Sequence, residues 1–283
     1  MTDPDRSRIG LFVGILLVAA VALVIIAASV DVSPIALAPA YMFSPMVAGL
    51  AVCLSRDIPL SDVGLRRGRL RWLAIAAVLA LPLIGLTLAF ALAVPGVDFD
   101  PTATPVPGLE LPSGLLGVAV AAGLALVLGA TINAIFAFGE EFGWRGYLLW
   151  ELAPWGFWKA SFAIGALWGI WHTPVIVAGY NYPSFPYIGV LAMTIACLSF
   201  SPVYTYVVVR AKSVLAAALL HGVFNGSAGL VVVYATADEA VLEELVASPV
   251  GAAGVLAFGA AAIAIAVLDT PTLSRKSLSG YRA

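Results

Sequence analysis

Charge is what this chain has least of. Asp, Glu, Lys and Arg make up 11% of its 283 residues, where a soluble domain carries roughly a quarter. That excludes an ordinary water-soluble globule. Cysteine is nearly absent: Cys53 and Cys197 sit in apolar stretches without CxxC spacing, which excludes a disulfide frame and a thiolate metal site. There is no HExxH zincin motif, P-loop, dinucleotide fingerprint or paired-aspartate protease motif. Gly226-Ser227-Ala228-Gly229 lies near a histidine, but it is no GxSxG elbow and lacks a partner acid. The net charge of −2 says little by itself, and no nucleic-acid partner is expected.

What is present is apolar length. The chain is 62% hydrophobic, its mean hydropathy is +1.04, and several runs reach the ~20 residues that cross a bilayer as a helix. These continuous runs predict an all-α polytopic membrane protein, a single integral-membrane domain over 1–283; a porin-type barrel would alternate. Eight spans are expected, at about 9–29, 35–54, 72–94, 113–152, 160–179, 187–209, 214–234 and 250–268. The fourth is a long helix broken by Pro154 and Gly156. Pro202 is expected to kink the sixth. The first run lacks a small-x-small cleavage site before Asp31, so it reads as a retained span, not a signal peptide.

The placement of the few charges orients the spans. With a cytoplasmic N-terminus, eight crossings put all 14 Lys and Arg residues on the cytoplasmic side or opening towards it. The outer loops then hold acids only, among them Asp98, Asp100, Glu110, Asp238, Glu239, Glu243 and Glu244. The positive-inside rule therefore predicts N-in and C-in, in a multi-pass protein of the cell membrane. The segment Arg66–Arg71 is either an interfacial element touching anionic headgroups or a topology determinant only.

Against this background, three stretches stand out. Gly139-Glu140-Glu141-Phe142-Gly143-Trp144-Arg145-Gly146 puts two carboxylates and an arginine at membrane depth, where ionisable groups are costly and mark function by default. Trp168-Gly169-Ile170-Trp171-His172 and His221-Gly222-Val223-Phe224-Asn225 hold the only two histidines. His172 lies thirteen residues past Lys159 and His221 nine past Lys212, about 20 Å and 14 Å along their helices. Glu140 reaches a comparable depth from the opposite direction, so one plane can hold all three.

Glu141 and Arg145 form an (i, i+4) pair in the favourable order, which leaves Glu140 without an obvious partner and suited to proton transfer. His221 and Asn225 share a face, one to hold water or a metal, the other to donate to an oxyanion. Trp168, one turn before His172, is placed to fix its ring. The flanking glycines, including Gly139, Gly169 and Gly222, permit close helix approach and room for a peptide. Each histidine alone reads equally as an interhelical hydrogen-bonder; the case for function is the joint occurrence. Asn133, Asn181 and Glu151 carry ordinary capping or interfacial readings.

Taken together, Glu-Glu-x-x-x-Arg, aromatic-x-x-x-His and His-x-x-x-Asn, in this order on separate helices, resemble the CPBP (Abi) intramembrane proteases, which include the type II CAAX prenyl endopeptidases. The resemblance covers 139–225, and Trp168 stands where the family pattern usually has Phe. It implies an eight-helix fold with a catalytic cavity opening to the cytoplasm. It also implies Glu140 as general base on a water assisted by His172, oxyanion or water contacts from His221 and Asn225, and Glu141 and Arg145 as supports. Glu140, His172 and His221 leave a Zn²⁺ option open beside a preferred metal-free one. An Arg-rich, Lys-poor composition fits a prokaryote with a GC-rich genome. The expected substrate is therefore a peptide or membrane protein without a prenyl group. Two other classes stay in view: a non-catalytic immunity or partner-binding membrane protein, and a proton-coupled transporter.

Overall fold

The computed structural model describes residues 3–103, 109 and 111–278; Glu110 and Arg282 lie outside the described residues. The chain is a bundle of antiparallel helices: α1 Arg6–Ser29, α2 Pro34–Ser55, α3 Leu70–Leu92, α4 Leu115–Trp155, α5 Phe157–Val177, α6 Pro186–Ala211, α7 Leu215–Tyr234 and α8 Ala252–Leu268. Among the described residues, α1 to α7 are long and apolar enough to cross a membrane, by length and composition. α8, the eighth expected span, is shorter, at 17 residues. Leu17, Val18, Leu115 and Leu268 are exposed, which suits a helix surface solvated by lipid.

Local chemistry sets the ends. The Asp5 side chain accepts from the backbone N–H groups of Ser7 and Arg8 and caps α1, satisfying donors that have no partner within the helix. α4 stops as expected: Pro154 lies in a 3-10 turn, and Gly156 takes φ +79°, a left-handed value open to glycine. Pro202 sits inside α6, which continues past it as one helix.

α4 is not a plain α-helix. Two π-helical turns, Gly129–Asn133 and Phe142–Leu148, interrupt it. Such turns insert extra residues and recur at functional sites. The first lies against α7 where glycine leaves no side chain: a Cβ on Gly222 would stand 2.4 Å from the Gly129 carbonyl oxygen. Close backbone approach of this kind is how membrane helices pack without a hydrophobic driving force. It brings the histidine-bearing helix against the carboxylate-bearing one. α7 packs on α3 and α4, α6 on α5 and α8, and α2 on α4.

The two ends of the bundle differ. At the basic end, the 64–69 loop is stapled to the α6–α7 turn. Arg66 Nε donates to the Lys212 carbonyl at 2.6 Å, Ser213 Oγ donates to the Arg66 carbonyl, and the Arg69 N–H donates to the Ala211 carbonyl. Arg66 thus serves the fold, beyond the headgroup or topology role expected of it. Arg210 pairs with Asp269 beyond α8. Glu151, expected to have an ordinary capping or interfacial place, is fully buried. It accepts from the Asp5 N–H at 2.8 Å and pairs with Arg8 and Arg275, tying both terminal segments to the end of α4.

At the acidic end, two short strands not expected from the sequence, β1 Asp98–Phe99 and β2 Ala235–Thr236, pair antiparallel. Glu244 accepts from the Ser184 N–H, and the Tyr182 hydroxyl donates to the Val250 carbonyl. These contacts join loops that alternate-span topology assigns to one face.

Candidate active site

Glu140 and Glu141 close the α-helical stretch Ala134–Glu141 of α4, just before the second π turn. The two carboxylates face different partners. Glu141 Oε1 meets Arg145 Nη1 at 3.0 Å and His221 Nδ1 at 2.9 Å. The expected Glu141–Arg145 pair is therefore real, and it also anchors the α7 histidine. Glu140, 3% exposed, is not without a partner: its Oε2 accepts from the Trp168 indole N–H at 2.7 Å.

Trp168 is the hub of this cluster. Besides donating to Glu140, its backbone carbonyl lies 2.8 Å from His172 Nδ1. The two rings are tilted at 5.8 Å, so what holds the His172 ring here is the main chain of residue 168, not the indole. The indole face carries the Arg145 guanidinium at 4.3 Å from the ring centroid and meets His221 edge-on at 5.4 Å. Arg145 lies on Tyr204 as well, at 4.8 Å. Aromatic faces attract a desolvated cation, so Arg145 is held by one carboxylate and two rings.

The hydrogen bonds decide the imidazole tautomers. A carbonyl oxygen only accepts, so His172 carries its proton on Nδ1; an ionised Glu141 imposes the same on His221. When neutral, each ring has the Nε2 lone pair free of these bonds. His172 marks the joint within α5, between helical pieces Phe157–Trp171 and Thr173–Val177.

Glu140, Trp168, His172, His221 and Asn225 all line one cavity of about 670 Å³, within the range of ligand sites. Asn225, one turn beyond His221, is exposed to it. All the acidic, imidazole and amide groups expected from the sequence thus converge, with Glu141 and Arg145 behind them. Tyr41 and Tyr204 were not anticipated. Tyr41 lines the wall, stacked on Trp171 at 4.4 Å. Lone aromatics in apolar helices carry no sequence signal that separates a site wall from packing.

Among the described residues, no three His, Cys, Asp or Glu side chains are grouped to hold a metal ion; Glu140, His172 and His221 are not assembled as a zinc set. Beyond the cluster, the lining continues along α7 to Val232 and Val233 and reaches Tyr180, Asn181, Glu243 and Ser248. These last residues belong to loops at the acidic end. The lining thus reaches that end of the bundle.

Seven long apolar helices around a buried carboxylate–imidazole cluster define an all-α polytopic membrane protein, whose surroundings are a lipid bilayer. Residues 121–227 match the family model described as Type II CAAX prenyl endopeptidase Rce1-like. The matched stretch contains every candidate site residue, is wider than 139–225 at both ends, and agrees with the CPBP resemblance. It supports an intramembrane CAAX-type endopeptidase in general terms. A search of curated proteins finds no match.

Proposed function

We propose that the chain is an intramembrane endopeptidase that hydrolyses a peptide bond with a water activated by Glu140 and His172. The observation that carries this reading is the Trp168 hub, which holds a carboxylate and an imidazole on one cavity wall with defined hydrogen bonds. His172 Nε2 holds the water, and ionised Glu140 takes its proton as the oxygen attacks the scissile carbonyl. The Asn225 amide donates to the tetrahedral oxyanion. His221, held by Glu141 through Nδ1, helps hold the water at its Nε2. Collapse breaks the C–N bond, and the proton held by Glu140 passes to the leaving amine. One water is consumed, giving a carboxylic acid and an amine.

Glu141 and Arg145 position His221 and do not touch the reacting atoms. The substrate is a peptide or a segment of a membrane protein. The basic face, with both termini, is cytoplasmic in the cell membrane.

A peptide-library cleavage assay on the detergent-solubilised protein tests this, run with and without a chelator. The expected result is cleavage by the wild type, insensitive to chelation. Glu140→Ala, His172→Ala and His221→Ala each lose it while their thermal unfolding stays near wild type. Equal loss of folded protein in all three variants gives these groups a structural role instead. A Glu140→Gln variant that keeps the protein's biological effect points to a non-catalytic binding protein.

A further inference from the structure

The joint at His172 follows from Pro174. Proline has no N–H, so it cannot serve the Ile170 carbonyl four residues back. The ladder slips on both sides of it. The His172 N–H donates to the Gly169 carbonyl at 3.2 Å, and the Val175 N–H donates to the His172 carbonyl at 3.1 Å. The carbonyls of Trp168, Ile170 and Trp171 thereby lose the donors that a regular helix gives them. Unsatisfied carbonyls are costly at membrane depth, and each of the three is met by a side chain. His172 Nδ1 serves Trp168 at 2.8 Å, the Thr173 hydroxyl serves Ile170 at 2.6 Å, and the Tyr41 hydroxyl serves Trp171 at 3.0 Å.

Of these three donors, only Tyr41 comes from another helix. Its helix, α2, grips Trp171 twice more. The Tyr41 ring stacks on the indole at 4.4 Å with 7° between planes, and the indole N–H donates to the Ser44 hydroxyl at 3.2 Å. Trp171 in turn meets His172 edge-on at 4.9 Å. α2 also lies on α4 to either side of Glu140. A Cβ on Gly139 would stand 2.9 Å from the Met42 carbonyl oxygen, and one on Gly143 would stand 2.3 Å from that of Pro45. One helix thus touches both the segment that carries the carboxylate and the joint that carries the imidazole. It lies outside the stretch 121–227 matched by the family model.

Resting on the hydrolase reading above, we propose that Tyr41 is a positioning residue for His172, acting through the Trp171 carbonyl. Its hydroxyl holds that carbonyl out of the helix ladder and keeps the joint open. The Trp168 carbonyl then stays free to fix the proton on His172 Nδ1, which leaves Nε2 for the water. Without the Tyr41 bond, the Val175 N–H can return to Trp171 and the His172 N–H to Trp168. The ring then loses its acceptor and its single tautomer. Tyr41 itself does not touch the reacting atoms.

The chain has only two histidines, so ring-¹⁵N labelling gives two imidazole signals, assigned with His221→Gln. The test records them for the full-length protein in nanodiscs at mildly alkaline pH, beside peptide cleavage. Wild-type His172 is expected as the Nδ1–H tautomer. Tyr41→Phe keeps the stacked ring and deletes the hydroxyl. It is expected to move the His172 signal towards a tautomer mixture, leave His221 unmoved, and lower kcat about tenfold with KM in place, the scale of one hydrogen bond. Thr87→Val deletes a buried hydroxyl bond to the Leu83 carbonyl on α3; as the control for lost stability it moves neither signal. Pro174→Ala buries no unpaired group and restores the missing N–H, so it tests the joint even where Tyr41→Phe accumulates poorly. It is expected to shift His172 in the same direction. A His172 signal unmoved by either variant overturns the proposal, and so does a fall in kcat for Tyr41→Phe with that signal unmoved. The signals need no turnover, so the two readings fail separately. A wild type that cleaves nothing, with His172 still shifted by Tyr41→Phe, removes the hydrolase reading and keeps the positioning. Wild-type cleavage with signal and kcat unchanged in Tyr41→Phe does the reverse.

Discussion

Two buried acidic sites on α4, barely three turns apart, do opposite things. Glu151 sits at the basic end, enclosed by Arg8, Arg275 and the Asp5 N–H. Its charge is neutralised by two cations from distant parts of the chain, and it lines neither described cavity. Glu140 has an indole N–H for a partner and faces a cavity of about 670 Å³ with two imidazoles and an amide. Between the two in character is Glu141, paired with Arg145 but also holding His221. A charge at membrane depth is therefore not a site in itself. What separates a knot from a site is how the charge is compensated and whether solvent or substrate can reach it.

The comparison can be tested along α4, beginning with the largest effect. Glu141→Ala leaves Arg145 buried without its counter-charge, which costs about 3–5 kcal/mol for a buried pair. The variant is expected to accumulate poorly and to unfold early in a thermal melt, and to lose activity with the fold. Glu140→Gln is the opposite case. It removes the base but keeps the shape, so cleavage falls by about 10²- to 10⁴-fold while the melt barely moves. If Glu140→Gln melts like Glu141→Ala, the two carboxylates share one structural role and the contrast is gone.

Glu151→Gln should lower stability by about 2 kcal/mol, the scale of hydrogen bonds to charged groups, with turnover per folded molecule unchanged. A catalytic defect in Glu151→Gln would mean that the terminal knot is coupled to the site. Trp168→Phe sharpens the picture most finely, because it keeps the ring over Arg145 and deletes only the donor to Glu140. A fall of about tenfold in kcat/KM is expected from losing that bond. In a Glu140→Gln background the same change should add almost nothing, since residues that share an interaction are not additive.

Much of this was legible in the chain. The spans were readable because a continuous apolar run about 20 residues long has few stable fates besides a membrane helix. The alternation of basic and acidic loops agrees with the contacts that gather Asp5, Glu151 and Arg275 at one end and Asp98, Thr236 and Glu244 at the other. The Glu141–Arg145 pair followed from helical spacing, as did the shared face of His221 and Asn225. Glu140 lines the cavity, but its partner was missed: the Trp168 indole comes from another helix, 28 residues away, and no spacing rule reaches across helices. Glu151 was misread for the same reason, because its cations lie more than 120 residues off in either direction. The π turns of α4 depend on where α7 and α2 press against it, and the β1–β2 pairing depends on two loops that meet only once the bundle is formed.

The sequence by itself determined that the protein is helical and lives in a bilayer, and which few polar side chains lie at depth. Apolar run length and charge placement act locally and survive in one dimension. Only the tertiary structure decided which of those side chains meet, that Trp168 connects them, and that one cavity wall runs on to the loops at the acidic end. These are matters of helix rotation and close approach, set by packing between segments far apart in the chain.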